Sequence, residues 1–97
     1  MRCRFTPLAE ADLEAIGDYI ARDNPLRALT FVQDLRERCA RIVHMPRAAP
    51  LRPELGEGVR VVTFGRYLIC YSERARDQVV IERIVHGARN LKSLFGR

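Results

Sequence analysis

The chain has 97 residues, 17 of them Lys or Arg against 12 Asp or Glu, for a formal charge of +5. That length fits a single domain, residues 1–97, with a core of its own. No stretch approaches the ~20 apolar residues that span a bilayer and the N-terminus has no apolar leader-type run, so a cytoplasmic protein with no membrane partner is expected.

Three cysteines, Cys3, Cys39 and Cys70, are widely spaced and odd in number, with no CxxC pair. The pattern points away from a zinc site and a disulfide framework, so the thiols are expected to be reduced and packed, with no metal and no cofactor. Residues 1–46 hold seven basic and seven acidic residues, whereas 47–97 hold ten basic and five acidic, which puts the charge excess in the second half. All the cations but Lys92 are arginines, the side chain suited to planar recognition of carboxylate or phosphate, so an anionic partner is expected.

Arg2 to Thr6 alternates polar and apolar, the pattern of a short strand. Thr6 as N-cap and Pro7 at the first helical position open a helix to about Arg22, with Leu8, Ala9, Leu13, Ile16 and Ile20 mainly on one side and Glu10, Asp12, Glu14 and Asp18 on the rest. Asn24-Pro25 repeats that punctuation and opens a second helix to about His44. Its stripe of Ala28, Phe31, Val32, Leu35, Cys39 and Ile42 is core, and Asp34/Arg38 and Glu37/Arg41 are outward i,i+4 pairs.

Met45 to Gly58, with three prolines and two glycines, reads as an ordered connection back to a sheet. Val59–Phe64 and Tyr67–Glu73 flank Gly65-Arg66, the signature of a type II′ hairpin. Val79–His86 is a third strand whose near-continuous apolar run favours an interior place. Asn90 to Phe95 is expected to add a turn or two of helix. The order β-α-α-β-β-β-(α) is an α+β fold, a helix hairpin packed on one face of a small, mainly antiparallel sheet.

Tyr19-Ile20-Ala21, Asn24-Pro25, Arg52-Pro53-Glu54-Leu55, Gly65-Arg66-Tyr67-Leu68-Ile69 and Ile84-Val85-His86-Gly87-Ala88-Arg89 stand in an order that resembles the ParE branch of the RelE/ParE toxins over nearly the whole chain. The resemblance implies the toxin of a type II toxin–antitoxin pair. It implies poisoning of DNA gyrase, contact with DNA only through gyrase or the antitoxin complex, and neutralisation by a ParD-like antitoxin whose C-terminal segment wraps the toxin. The charge suggests an acidic, amphipathic tail over the helix hairpin and the arginine-rich sheet edge.

The RelE branch instead cuts mRNA on the ribosome, using cations around the phosphate and groups that move a proton. Arg60 and Arg89 match two of its cations, but Leu68 falls where a third arginine stands and Phe95 where a tyrosine stands. His86 is the remaining acid/base candidate, though a histidine at a strand end more commonly satisfies nearby backbone. A ribosome-dependent endoribonuclease built on Arg60, His86 and Arg89 is therefore the alternative reading, and a toxin that only binds its antitoxin as corepressor is another. The candidate partner-binding residues are Arg60, Arg66, Arg83 and Arg89, with Leu91, Leu94 and Phe95 of the C-terminal segment. Arg83 lies in an apolar strand and must either face a partner or find a carboxylate across the fold, because Glu82 points to the opposite side. Tyr67 and Tyr71 share one strand face, an arrangement used to stack bases but more often to fill a core.

Overall fold

The computed structural model describes residues 2–75 and 77–87. Two capped helices open the chain after a short strand. The strand β1, Arg2–Phe5, runs into Thr6, whose side-chain oxygen accepts from the Ala9 amide at 3.0 Å and so caps α1, Pro7–Ala21. The same hydroxyl donates to the Glu82 carbonyl at 2.8 Å, and the Thr6 amide donates to Ile81, so one residue ends a strand, starts a helix and ties both to the far end of the chain. Asn24 caps α2, Pro25–Arg41, in the same way, its side chain accepting from the Arg27 amide.

The second helix is shorter than its apolar stripe suggests. It ends at Arg41 and tightens into a 3-10 turn over Ile42–His44. The pairs Asp34/Arg38 and Glu37/Arg41 do not form. Asp34 lies instead 3.7 Å from Arg27, and neither Arg38 nor Arg41 has an ion-pair partner among the described residues.

The strands β2, Arg60–Phe64, β3, Tyr67–Glu73, and β4, Gln78–His86, form an antiparallel meander, and β1 adds to β4 in parallel, giving the order β1-β4-β3-β2. The expected interior place of the last strand is thus occupied by β4. At the β2–β3 tip Gly65 takes φ 57° while Arg66 stays at negative φ, as a type II′ turn requires. The helical segment expected at Asn90–Phe95 lies outside the described residues, as do Arg89, Leu91, Leu94 and Phe95. Among the described residues no helix is long and apolar enough to cross a membrane.

The sheet has a core on each side. On the helix side Leu13 and Ile16 of α1 and Leu35 and Cys39 of α2 meet Ile69, Tyr71, Ile81 and Ile84. Tyr71 is buried and Tyr67 partly buried there, so both tyrosines pack with the core rather than forming an open stacking platform. On the other side the proline-rich connection folds back through a 3-10 turn, Pro53–Leu55, and seats Leu55 and Val59 on Val61, Cys70 and Val85.

Ile81 and Ile84 are three residues apart yet enter the same core, which a regular strand forbids. A bulge resolves this. Cys70 faces Arg83 and Tyr71 faces Ile81, so Glu82 is the extra residue and the alternation of β4 changes phase there. The Glu82 carboxylate accepts from the Ser72 hydroxyl and from Arg74.

Replacing Thr6 with Ala should lower stability by about 1–2 kcal/mol, and Thr6→Ser should retain most of it, as measured by urea denaturation. Burial pushes the Cys39 thiol up to about 12 and the Cys70 thiol up to about 11, from an ordinary 9.0. The folded chain therefore keeps protons that the unfolded chain loses. Stability should be intact below pH 9.0 and fall as pH rises from there toward 11 and 12. At pH about 8 a thiol reagent should label the half-exposed Cys3 first, with Cys39 and Cys70 reacting only as fast as the chain opens.

Candidate functional site

The arginines singled out by the sequence do different work. Arg83 is paired across the fold: its Nε and Nη2 donate to Asp12 Oδ2 and Oδ1 at 2.8 and 3.0 Å, a two-pronged contact from β4 to α1. Both side chains are largely buried, at 16% and 14% exposed. Asp12 Oδ2 also accepts from the Ile84 amide at 2.8 Å, so one carboxylate serves the guanidinium and the backbone beside the bulge. The Asp12 hydrogen bond holds the Arg83 pKa above its ordinary value against the opposing effect of burial.

Arg60, at the start of β2, donates to the Ala49 carbonyl at 2.6 Å and to the Arg47 carbonyl at 3.3 Å, holding the connection against the sheet. Arg66 is exposed at the hairpin tip. Its carbonyl accepts from the Gly87 amide at 2.8 Å, an approach so close that a Cβ on Gly87 would lie 3.2 Å from that oxygen. His86 packs edge-on to the Tyr67 ring, with centroids 5.6 Å apart. Arg66, Tyr67 and His86 line one cleft of about 400 Å³ with Asp12, Ile16 and Tyr19.

Arg60 is not part of that cleft. It pairs with Tyr71 in the register, whereas His86 pairs with Tyr67, four residues along β3 and on the opposite neighbouring strand. At ~3.3 Å per residue and ~4.8 Å per strand step, the two backbones are roughly 16 Å apart. Leu68, at the position of the missing arginine, packs against the cluster formed by Leu55, Val59, Val61, Cys70 and Val85.

The chain matches the family model described as the ParE toxin of the type II toxin–antitoxin system parDE over residues 3–91. It belongs to the ParE toxin family. Among solved structures it is similar to a chain of the chromosomal ParDE TA system from P. aeruginosa, with 29% identity and a TM-score of 0.75 over 89% of this chain and 95% of that one. No curated protein matches the chain.

Of two further surfaces of this ParE, the helix hairpin was expected to receive an acidic tail and instead presents carboxylates, and the other escaped the sequence reading. The outer groove between α1 and α2, about 720 Å³, has an apolar floor that includes Leu13, Ala28 and Val32, and an acidic wall of Glu10, Glu14 and Asp18. Arg36 answers Glu10 there at 2.7 Å. The hairpin is thus the acidic side of a basic protein, which the spacing of Glu10, Glu14 and Asp18 along α1 could have signalled. The second is a basic-rimmed cleft at the end of α2, concealed in the sequence by the supposed pairing of Arg38 and Arg41.

Removing either member of the Asp12–Arg83 pair by alanine should cost about 3–5 kcal/mol, and replacing both with leucine should recover much of that loss. Urea midpoints of the two single variants and the double variant measure it. If Arg83→Ala left the midpoint unchanged yet abolished partner binding, Arg83 would be a partner contact rather than part of the framework.

Proposed function

We propose that this ParE works without catalytic chemistry of its own, by binding DNA gyrase and trapping its cleavage complex on DNA, and that a ParD-like antitoxin holds it inactive. The family match over residues 3–91 carries the reading. It is supported by the layout of the cations: Arg60 is engaged with loop carbonyls, Leu68 with apolar packing, and His86 lies two strands away from Arg60. In-line cleavage of RNA needs its base, acid and phosphate clamps around a single phosphate, a few ångströms apart. Such a group is not assembled among the described residues.

A binding poison needs only surface. Arg66 at the hairpin tip, beside the cleft that holds His86, is the described part of the proposed gyrase contact, and Arg89, Leu91, Leu94 and Phe95 are its proposed continuation. The antitoxin in this reading covers the helix hairpin and the sheet edge near Arg60. The acidic wall of the hairpin groove asks that the segment seated there carry basic side chains, while an acidic stretch belongs at the arginines.

Incubating purified gyrase and supercoiled plasmid with the antitoxin-free chain should accumulate linear DNA once detergent and protease are added. Deleting the segment after Arg89 should abolish it. A folded chain that yields no linear DNA but cuts mRNA on ribosomes, with the cutting lost in R60A or H86A, would establish the nuclease instead. A chain inert in both assays that still binds its antitoxin would be a corepressor only.

A further inference from the structure

The last turn of α2 carries cations that neither the core nor the ion pairs consume. Arg38 and Arg41 lie one turn apart, and the chain tightens into the 3-10 turn Ile42–His44 directly after Arg41. Residues three apart eclipse in a 3-10 turn, so His44 falls in line with Arg41 and extends the row. The row rims a cleft of about 390 Å³ whose floor includes Ile42, Val62 and Tyr71. Among the described residues no carboxylate lines it.

Met45, at the mouth, is 70% exposed. The Tyr71 hydroxyl donates to the Pro46 carbonyl at 2.8 Å, and Tyr71 as a whole is only 1% exposed. Basic residues at a helix C-terminus are favoured by the helix dipole, which explains why they are tolerated there. The dipole does not explain an apolar cleft beside them or an exposed thioether at its mouth.

We infer that this cleft docks an acidic peptide segment of a partner protein, with an apolar anchor side chain on the Ile42–Val62 floor and flanking carboxylates against Arg38, Arg41 and His44. The charge of the rim selects the sign of the partner, the apolar floor demands an anchor, and methionine adapts to the shape of one. A nucleic acid fits less well. The Tyr71 ring among the cleft's lining residues, which could stack a base, is covered and its hydroxyl is committed, while the apolar floor offers a base edge nothing to bond. The gyrase reading requires neither this cleft nor its occupant, so the two stand or fall separately.

The test is an NMR titration of the isotope-labelled full-length chain with a short synthetic peptide alternating glutamate with leucine and phenylalanine. Glutamine-for-glutamate and lysine-for-glutamate versions and a short single-stranded oligonucleotide serve as comparisons. The acidic peptide should shift signals of residues 38–49, Val62 and Tyr71, the glutamine version should bind several-fold more weakly, and the lysine version should not bind. R38E/R41E should weaken the acidic peptide roughly tenfold, the sum of two exposed charge contacts. Met45→Glu, at an exposed position that leaves the fold intact, should weaken it in the same direction and covers the case in which the double variant fails to fold. Unchanged affinity in R38E/R41E or Met45→Glu would overturn the inference. So would shifts centred elsewhere, preference for the oligonucleotide, or no shift with any peptide.

Discussion

The carboxylate of Asp12 holds the fold at the point where its two layers have to agree. Strand β4 carries one residue too many for a regular ladder, and the extra residue, Glu82, resets which side chains face the helices. Asp12 reaches that spot from α1 and accepts from both the Arg83 guanidinium and the Ile84 amide. A buried ion pair contributes little net stability, because two charges have left water. Its effect is on register: any slip of β4 by one residue would strand Arg83 in an apolar layer and turn Ile81 and Ile84 outward. Thr6, at the start of the same helix, fastens the same stretch by donating to the Glu82 carbonyl. The β3–β4 ladder that continues from this segment pairs His86 with Tyr67 and so brings it beside Arg66.

Most of the described arginines of the second half of the chain are held within the fold. Arg47 pairs with Glu73, Arg52 with Glu54, Arg74 with Glu82 and Arg83 with Asp12, while Arg60 is held by two carbonyls. The first half, neutral by count, is the half in which charge is separated. Carboxylates line the hairpin groove, and arginines without an ion-pair partner among the described residues gather at the far end of α2. Net charge per segment therefore gives the sign of the total charge and not the places on the described surface where charge of one sign gathers. A partner that covers both surfaces must be polar along its own length, and that asymmetry fixes the direction in which it lies on the toxin.

Punctuation made most of the fold legible. Thr6-Pro7 and Asn24-Pro25 each couple a side-chain cap to a proline that needs no amide partner, and both helices begin there. Gly65 placed the hairpin by its positive φ. The bulge was not legible, because an extra residue in an apolar run changes neither composition nor length in any visible way. With the bulge hidden, the partner of Arg83 was hidden too. The alternation used to exclude Glu82 fails at the bulge; Glu82 is engaged with Ser72 and Arg74 instead, and Asp12 lies 71 residues before Arg83 among the solvent-facing Glu10 and Glu14. The end of α2 misled differently: an apolar stripe continues smoothly into the 3-10 turn Ile42–His44, and the outward pairs are missing although all four residues keep helical spacing, Asp34 turning instead to Arg27. Leu55 was the one available sign that the connection covers the second face, being an apolar residue set among prolines and glycines.

The parallel pairing of β1 with β4 joins residues 2–5 to residues 78–81, nearly the full length of the chain. A polypeptide made from its N-terminus cannot complete this sheet until β4 has been made, because β4 is the strand that β1 pairs with. Such non-local pairing is also the slow kind, reached only after loop-closure entropy has been overcome. Maturation of the sheet is thus postponed until residues 78–81 have been made, and a nascent chain that stops short of them leaves β1 without its neighbour. The topology itself therefore confines the assembled sheet to chains that already carry β4.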